Sequence, residues 1–259
     1  MSTLLETKAL TIRFGGLVAI NALDVHVHRG EVLGLIGPNG SGKTTFLNLI
    51  TGIYPPTSGD ILFQEENLVG LAPFEITRKG IARTFQNNRL FANLSVLDNV
   101  IIGMHHTQKS QWYHAIFRNR FAKDELKESA QRAMDLLKDM SEDLVKDRFK
   151  KAIELPQAHR RKLEICRALA SEPLLLLLDE PAAGMDPEET RHLMADVRKI
   201  LETRQNLGII LIEHDMTVIR NIADRVVVIN YGQKIAEGDF RAVCEQPAVM
   251  EAYLGEPAC

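Results

Sequence analysis

Apolar residues along the chain form short runs that alternate with amphipathic stretches. Runs of strand length occur at residues 32–36, 174–178 and 208–212, and they are apolar apart from glycine. Such runs are typical of strands in a parallel sheet that is covered on both faces. Helical spacing follows or separates them at residues 160–170, 188–202 and 216–222. Strands that alternate with helices predict an α/β fold with a largely parallel sheet.

Weaker patterns predict the remaining elements of this fold. Apolar and polar residues alternate over 23–28, as in a half-buried strand. A turn-forming cluster at 55–59 precedes a predicted strand at 61–63, and Gly80 ends a predicted helix over 74–79. Two further strands are predicted at 226–229 and 234–237.

The middle of the chain, residues 96–148, is rich in charge and has no glycine after Gly103. Apolar residues recur there in steps of three and four, at Leu126, Ala130, Ala133, Met134 and Leu137. This spacing predicts one apolar stripe on a helix. We therefore expect a helical insertion between the two halves of the α/β fold.

Composition narrows the functional classes. The 259 residues fit one domain, or one domain with an insertion. The net charge of −3 gives no bulk basic character, so a nucleic-acid partner is not expected. The apolar runs fall well short of the roughly 20 residues that cross a bilayer, and the N-terminus has no secretory signal pattern. The cysteines form no CxxC motif, so we do not expect a zinc site.

A glycine-rich octapeptide carries the main chemical signal. It reads Gly37-Pro38-Asn39-Gly40-Ser41-Gly42-Lys43-Thr44 and fits the phosphate-loop pattern GxxxxGK[ST], between a predicted strand and a predicted helix. The amides of this loop, with Thr45 after it, are predicted to bind the phosphates of a nucleotide. Lys43 is predicted to reach the β- and γ-phosphates, and Thr44 to ligate Mg²⁺. The alternative is a glycine-rich turn without a ligand.

Two carboxylates follow the leucine-rich run at 174–178. Ligands of parallel sheets bind beyond the carboxyl ends of the strands. Asp179 is therefore predicted to hold Mg²⁺, directly or through water, and Glu180 to polarise the attacking water. The alternative is that Asp-Glu-Pro only marks the start of a helix.

Six segments in this order and spacing resemble the ATP-binding cassette (ABC) ATPases of membrane transporters, over essentially the whole chain. They are the phosphate loop, Gln86 in Ala-Arg-Thr-Phe-Gln, the segment before Arg160, Asp179-Glu180-Pro181, Ala183-Gly184-Met185-Asp186-Pro187 and His214 in Ile-Glu-His-Asp. Local strings are most similar to ATPase subunits of branched-chain amino-acid importers, of the longer type. The ATPase of the lipopolysaccharide exporter shares several of them.

The resemblance implies further roles for matching positions. Phe14 would stack on adenine, with a buried packing role as the alternative. Gln86 would contact Mg²⁺ or the water and sense the membrane subunit. His214 would bind the γ-phosphate and the water. Asp186 would lie at a dimer interface.

The resemblance also implies an organisation and a set of partners. The whole chain, 1–259, would be a single ABC ATPase domain, with residues 1–92 and 160–259 as the nucleotide-binding core, including an antiparallel β subdomain, and 93–159 as a helical subdomain. ATP and Mg²⁺ would be the ligands. Partners would be a second ATPase subunit, identical or different, transmembrane permeases and, indirectly, a solute-binding protein. The chain would be cytoplasmic, attached to the cytoplasmic face of the inner membrane.

One segment departs from the family pattern. The signature Leu-Ser-Gly-Gly-Gln, or its variant Leu-Ala-Tyr-Gly-Gln, stands here as Leu155-Pro156-Gln157-Ala158-His159. Pro156 has neither a hydroxyl nor an N–H, and Ala158 adds a Cβ where glycine allows close approach. We expect a weakened contact with the γ-phosphate of the opposite subunit.

Three functions compete with that of an importer ATPase. One is the ATPase of a lipopolysaccharide-type exporter, and another is a weakly hydrolytic regulatory subunit, which only the altered signature favours. The third is a DNA-repair ATPase of the same superfamily, which would need a long coiled-coil or zinc insertion.

Overall fold

Two β-sheets organise the first part of the molecule. The structure, a computed structural model, describes residues 2–85, 89–105 and 120–253, with the backbone alone for 120–123. The strands are β1 (Thr3–Phe14), β2 (Leu17–Leu23), β3 (His26–His28), β4 (Val32–Ile36), β5 (Ser58–Phe63), β6 (Glu66–Asn67), β7 (Ile81–Arg83), β8 (Leu175–Asp179), β9 (Gly208–Ile212), β10 (Arg225–Asn230) and β11 (Gln233–Gly238).

The helices lie between these strands and in the middle of the chain. They are α1 (Lys43–Ile50), α2 (Pro73–Arg78), α3 (Val96–Gly103), α4 (Arg120–Met140), α5 (Glu142–Lys146), α6 (Gln157–Leu169), α7 (Pro187–Thr203), α8 (Met216–Ile222), α9 (Phe240–Cys244) and α10 (Pro247–Ala252), with a 3₁₀ turn at Ala152–Glu154. No described helix is long and apolar enough to cross a membrane.

The larger sheet is mostly parallel and confirms the predicted α/β fold. Its six strands follow the order β11-β10-β4-β9-β8-β7, and β10 with β11 is its antiparallel pair. All residues of β4, β8 and β9 are buried, as their continuous apolar runs require. The loops that follow these strands therefore meet at one edge of the sheet.

The second sheet is antiparallel and packs near the first. It contains β1, β2, β3, β5 and β6, with β1 paired to β2, β3 and β5. The alternation at 23–28 corresponds to the end of β2 and to β3, which are separate strands. Strand β1 was not predicted, because its register shifts and the left-handed Ala9 (φ 46) interrupt the two-residue period.

The helical insertion is present, but its apolar stripe differs from the prediction. Ala133, Leu137 and Met140 are buried on α4. Leu126, predicted to begin the stripe, is 57% exposed, so that part of the prediction is wrong. The buried positions instead continue toward the C-terminus of the helix, where α3 and α5 also contact α4.

The described chain forms two compact units. One comprises residues 2–85, 174–181 and 201–253, with both sheets; the other comprises residues 89–105, 120–173 and 182–200, with most of the helices. These limits differ from the boundaries at 92/93 and 159/160 predicted from the sequence. In the structure α6 and most of α7 belong to the helical unit.

Candidate functional site

The glycine-rich loop connects β4 to α1 and has the conformation that its glycines allow. Gly40 and Gly42 have φ of 76° and 109°, and Gly42 is the N-cap of α1. A Cβ on Gly42 would lie 2.7 Å from Ile20 Cδ1 and 2.9 Å from the Ala19 carbonyl. The Gly232 N–H donates to the Ser41 carbonyl at 2.9 Å. The loop is thus held by neighbouring chain while its own amides lie at a helix N-terminus.

Two polar side chains of this loop are buried in it. Lys43 is 6% exposed, and its Nζ donates to the carbonyls of Gly37 at 2.7 Å and Pro38 at 3.0 Å. Ser41 Oγ is buried and has no hydrogen-bond partner among the described residues. A buried hydroxyl without a partner is unfavourable in a folded protein, and an anion in the loop would remove that deficit.

Asp179 ends β8 and is 2% exposed. Its Oδ2 accepts a hydrogen bond from Arg83 Nη2 at 2.8 Å, and Arg83 ends the neighbouring strand β7. Its Oδ1 is buried with no partner in the described part of the chain. A carboxylate oxygen left in this state fits a cation ligand, since hard divalent cations prefer oxygen.

Glu180 and His214 contact each other across the ends of neighbouring strands. His214 Nε2 lies 2.8 Å from Glu180 Oε1. The backbone of Glu180 is left-handed, with φ 49°, and its N–H donates to the Ile212 carbonyl at 2.9 Å. This conformation is unfavourable for residues other than glycine, and such strain concentrates at functional sites. The two side chains that the sequence placed at one sheet edge are therefore in direct contact.

These groups line one cavity of about 380 Å³. Its walls are Phe14, Leu17, Val18, Ala19, Asn39, Gly40, Ser41, Gly42, Lys43, Thr44, Thr45, Glu180, His214 and Tyr231. The prediction that the loop, Glu180 and His214 share one site agrees with this geometry. A cavity of this size, with phosphate-binding amides at one side and a carboxylate–imidazole pair at another, suits a nucleotide.

Phe14 lies at the apolar side of the cavity. It is 45% exposed, and its ring meets Tyr54 edge-on with centroids 5.3 Å apart. The alternative that Phe14 is a buried packing residue is therefore wrong. Gln86 lies outside the described residues.

The segment that replaces the family signature leads into α6. Pro156 is the N-cap of α6 and supplies no side-chain hydrogen bond there. Ala158 is buried, whereas Gln157 is exposed and donates from Nε2 to the Ala183 carbonyl at 3.1 Å. Asp186 caps the next helix, α7, because its Oδ1 accepts from the N–H groups of Glu188 and Glu189, both at 2.8 Å.

Two residues at the site were not predicted from the sequence. Arg83 belongs to the motif around Gln86, and the signal that could have singled it out is a charge at the end of an inner strand, which is rarely buried. Tyr231, with φ 46°, lies in the turn between β10 and β11 and lines the cavity while 86% exposed. A bulky residue in a two-residue turn before Gly232 carries no sequence signal of this role.

The comparisons with known proteins agree with this site. The family described as ABC transporter matches residues 20–183, across the phosphate loop, Asp179 and Glu180. The chain belongs to the ABC transporter ATPases. A second family, the branched-chain amino acid ATP-binding cassette transporter, matches residues 233–258. The fold and the family expected from the sequence are thus confirmed, and this ATPase hydrolyses ATP as its family does.

Named relatives match almost end to end. This ABC ATPase is 39% identical over 253 residues to the high-affinity branched-chain amino acid transport ATP-binding protein BraF of Pseudomonas aeruginosa, covering 98% of each chain. It is 38% identical, with the same coverage, to LivG of Escherichia coli. An ATP-binding cassette of an ABC transporter solved in its ADP conformation has a TM-score of 0.85 and 30% identity, and covers 99% of this chain and 100% of that one.

Proposed function

We propose that this chain is the ATP-hydrolysing subunit of an importer for branched-chain or related amino acids. The observation that carries the hydrolytic part is the Glu180–His214 contact of 2.8 Å beside the phosphate loop. The transported class rests on the relatives BraF and LivG, which are named for branched-chain amino acid transport. Nothing in these comparisons favours a lipopolysaccharide-type exporter or a regulatory subunit.

The residues of the cavity divide the work of hydrolysis. The loop amides and Lys43 bind the phosphates, for which Lys43 must leave the Gly37 and Pro38 carbonyls. Glu180 orients the attacking water and accepts its proton, and His214 holds Glu180 and the γ-phosphate. Phe14 stacks on the adenine. Catalysis is then positioning together with electrostatic stabilisation of an in-line attack.

Asp179 and Thr44 fit a Mg²⁺ ion bound with the nucleotide, and we assign Gln86 to the same ion or to the water. The fit rests on Asp179 Oδ1, which is buried and lacks a partner among the described residues. Mg²⁺ would neutralise charge that develops on the phosphate oxygens.

The chain attaches to membrane permeases through its helical unit and so lies at the cytoplasmic face of the membrane. Phe91, Leu94 and Ile153 are exposed apolar side chains in this unit. The backbones around Phe91 and Ile153 are adjacent, because the Ile153 N–H donates to the Ala92 carbonyl at 3.0 Å. Clustered apolar residues suit an amphipathic helix of a permease. Crosslinking from a cysteine at position 91 to permease loops tests this surface, and failure across all loops with intact ATPase activity contradicts it.

A second ATPase subunit completes the assembly. The segment Leu155–His159 would serve the nucleotide of that partner, and its proline and alanine weaken this contact. We therefore favour a heterodimer in which the other subunit has an unaltered signature, while a solute-binding protein acts outside the membrane.

Uptake by a reconstituted transporter tests the proposed function. The chain is assembled with candidate permeases, a second ATPase subunit and a solute-binding protein in vesicles, and labelled leucine, isoleucine and valine are supplied. ATP-dependent accumulation of these amino acids is expected. ATP hydrolysis that is coupled to a different solute would overturn the substrate class, and absence of hydrolysis would overturn the enzymatic assignment.

A further inference from the structure

Arg83 is a buried cation in the nucleotide-binding unit that the proposed mechanism does not use. Its side chain is 4% exposed, and that of Asp179 is 3% exposed. The guanidinium donates from Nη2 to Asp179 Oδ2 at 2.8 Å and from Nη1 to Asn48 Oδ1 at 2.7 Å. Its Cζ lies 5.0 Å from the centre of the Phe85 ring. One planar group therefore joins β7, β8 and α1.

The partners of Arg83 connect it to both halves of the nucleotide site. Asn48 lies on α1, which begins at Lys43 directly after the phosphate loop. Asp179 is the buried carboxylate at the end of β8. Because a guanidinium is planar and always charged, its fork fixes the direction of both partners. The position of the carboxylate is thereby tied to the helix that carries the phosphate loop.

The two oxygens of Asp179 are in different states. Oδ2 is engaged by Arg83, whereas Oδ1 has no hydrogen-bond partner among the described residues. A buried ion pair is a poor device for stability, because desolvation offsets most of the attraction between the charges. Its retention here is better explained by what it does for the second oxygen.

We propose that Arg83 is a positioning residue for the Mg²⁺ ion: it holds Asp179 by Oδ2 so that Oδ1 is the oxygen offered to the metal. The inference rests on the proposed function, in which Asp179 binds the metal of the Mg²⁺–nucleotide complex. Arg83 also keeps the buried carboxylate ionised before the metal arrives. Residues that orient a metal ligand typically contribute about 10- to 100-fold to metal affinity.

The decisive variant is Arg83→Lys. Lysine keeps the positive charge, but its single ammonium group cannot reproduce a fork that reaches Asp179 and Asn48 together. The readout is the gain in affinity for a non-hydrolysable ATP analogue when Mg²⁺ replaces EDTA. We expect this gain to fall at least about tenfold, while affinity in EDTA stays within about twofold of wild type.

Arg225→Lys is the matched control. Arg225 is also largely buried and donates from Nε to Glu31 Oε1 at 2.7 Å and from Nη2 to Oε2 at 3.1 Å. It lies at the start of β10, in register with Leu33, and so at the opposite edge of the sheet from Asp179. This variant should lower thermal stability and leave the Mg²⁺-dependent gain unchanged.

A second variant covers poor folding of Arg83→Lys. Asn48→Leu removes one anchor of the guanidinium but keeps both Arg83 and Asp179, and it should reduce the Mg²⁺-dependent gain in the same direction by a smaller factor. A wild-type gain in both variants, or an equal loss of affinity with and without Mg²⁺, would overturn the proposal.

Asp179→Asn separates this inference from the proposed function. If Asp179→Asn loses the Mg²⁺-dependent gain and Arg83→Lys keeps it, only the role of Arg83 is wrong. If Asp179→Asn keeps the gain, the assignment of the metal site to Asp179 fails, and the inference fails with it.

Discussion

At the scale of single residues, Glu180 combines a strained backbone with a directed carboxylate. Its φ of 49° costs an L-residue roughly 1–2 kcal/mol relative to the right-handed region. Its Oε1 lies 2.8 Å from His214 Nε2. The fold accepts this cost at a residue whose side chain lines the cavity, which supports a chemical rather than a structural role.

Glu180→Gln should bind ATP as wild type does and hydrolyse it at least about 100-fold more slowly, because an amide cannot accept the proton of the attacking water. Phosphate release from the assembled transporter and nucleotide binding are measured in parallel. Glu65→Gln is the control, since Glu65 also has a left-handed backbone, with φ 68°, in an exposed turn. Wild-type turnover in Glu180→Gln would remove Glu180 from the mechanism.

His26 gives the fold a pH dependence of known sign. Burial lowers the pKa of His26 from 6.5, and the positive charge of Arg225 lowers it further. The unfolded chain therefore binds a proton at this residue more readily than the folded chain. The resulting stability is present above pH 6.5 and is lost as the pH falls from there through the lowered pKa.

His26→Gln should remove this part of the pH dependence. Chemical denaturation between about pH 5 and 8 should show a flatter fall in the free energy of unfolding below the usual histidine pKa. The variant is compared with wild type at each pH. A wild-type slope over this window would show that His26 does not contribute.

At the scale of elements, the sequence predicted the elements whose pattern is continuous. Strands β8 and β9 and helix α8 agree closely with the predictions, since uninterrupted apolar runs and helical spacing leave few other conformations. Strand β1 was missed because Ala9 interrupts its alternation, and Leu126 was misplaced because apolar spacing does not show which turns of a helix are covered.

The site followed the same division. Strand ends indicated that Asp179, Glu180 and His214 share one sheet edge, because parallel strands present their carboxyl ends together. The contact between Glu180 and His214 depends on the left-handed turn after β8, which a sequence pattern does not specify. Arg83 depends on three partners that are 35, 32 and 96 residues away along the chain.

Gln157 should stabilise the loop before α7. Its Nε2 donates to the Ala183 carbonyl at 3.1 Å, and a Cβ on Gly184 would lie 2.5 Å from the same nitrogen. Gln157→Met keeps the length but loses the donor, so amide hydrogen exchange at Gly184 and Met185 should be about 2- to 10-fold faster.

Gln131→Met is the control for this prediction. Gln131 is also exposed on a helix of the same unit and donates from Nε2 to Asp135 Oδ1 at 3.0 Å. It should leave exchange at Gly184 and Met185 unchanged. Equal exchange rates in Gln157→Met and wild type would show that the hydrogen bond does not hold the loop.

At the scale of the whole molecule, two functions lie in different units of the chain. The phosphate loop, Asp179, Glu180 and His214 belong to the unit with both sheets, whereas Leu155–His159 belongs to the helical unit. The altered residues are thus outside the cavity of their own chain. An altered signature and a complete nucleotide cavity are therefore compatible in one protein.

This separation leads to a prediction about pairing. Two identical chains would combine two complete cavities with two weak signature segments. Pairing with a second ATPase subunit whose signature is unaltered would give one fully competent site, built on Lys43 and Glu180 of this chain. We expect slow phosphate release by the isolated chain and faster release by the mixed pair, measured at equal concentrations of nucleotide sites.

The triple variant Gln157→Gly, Ala158→Gly and His159→Gln tests the cause of this asymmetry. Restored glycines allow the backbone amides of α6 to approach the γ-phosphate of the opposite chain, where a preorganised donor contributes up to about 2.7–4 kcal/mol. The gain should be smaller here, because the N-terminus of α6 already attracts the anion. The variant should speed hydrolysis by the isolated chain and leave nucleotide affinity unchanged. If the isolated wild-type chain already hydrolyses ATP as fast as the mixed pair, and the restored glycines change nothing, the asymmetry does not exist.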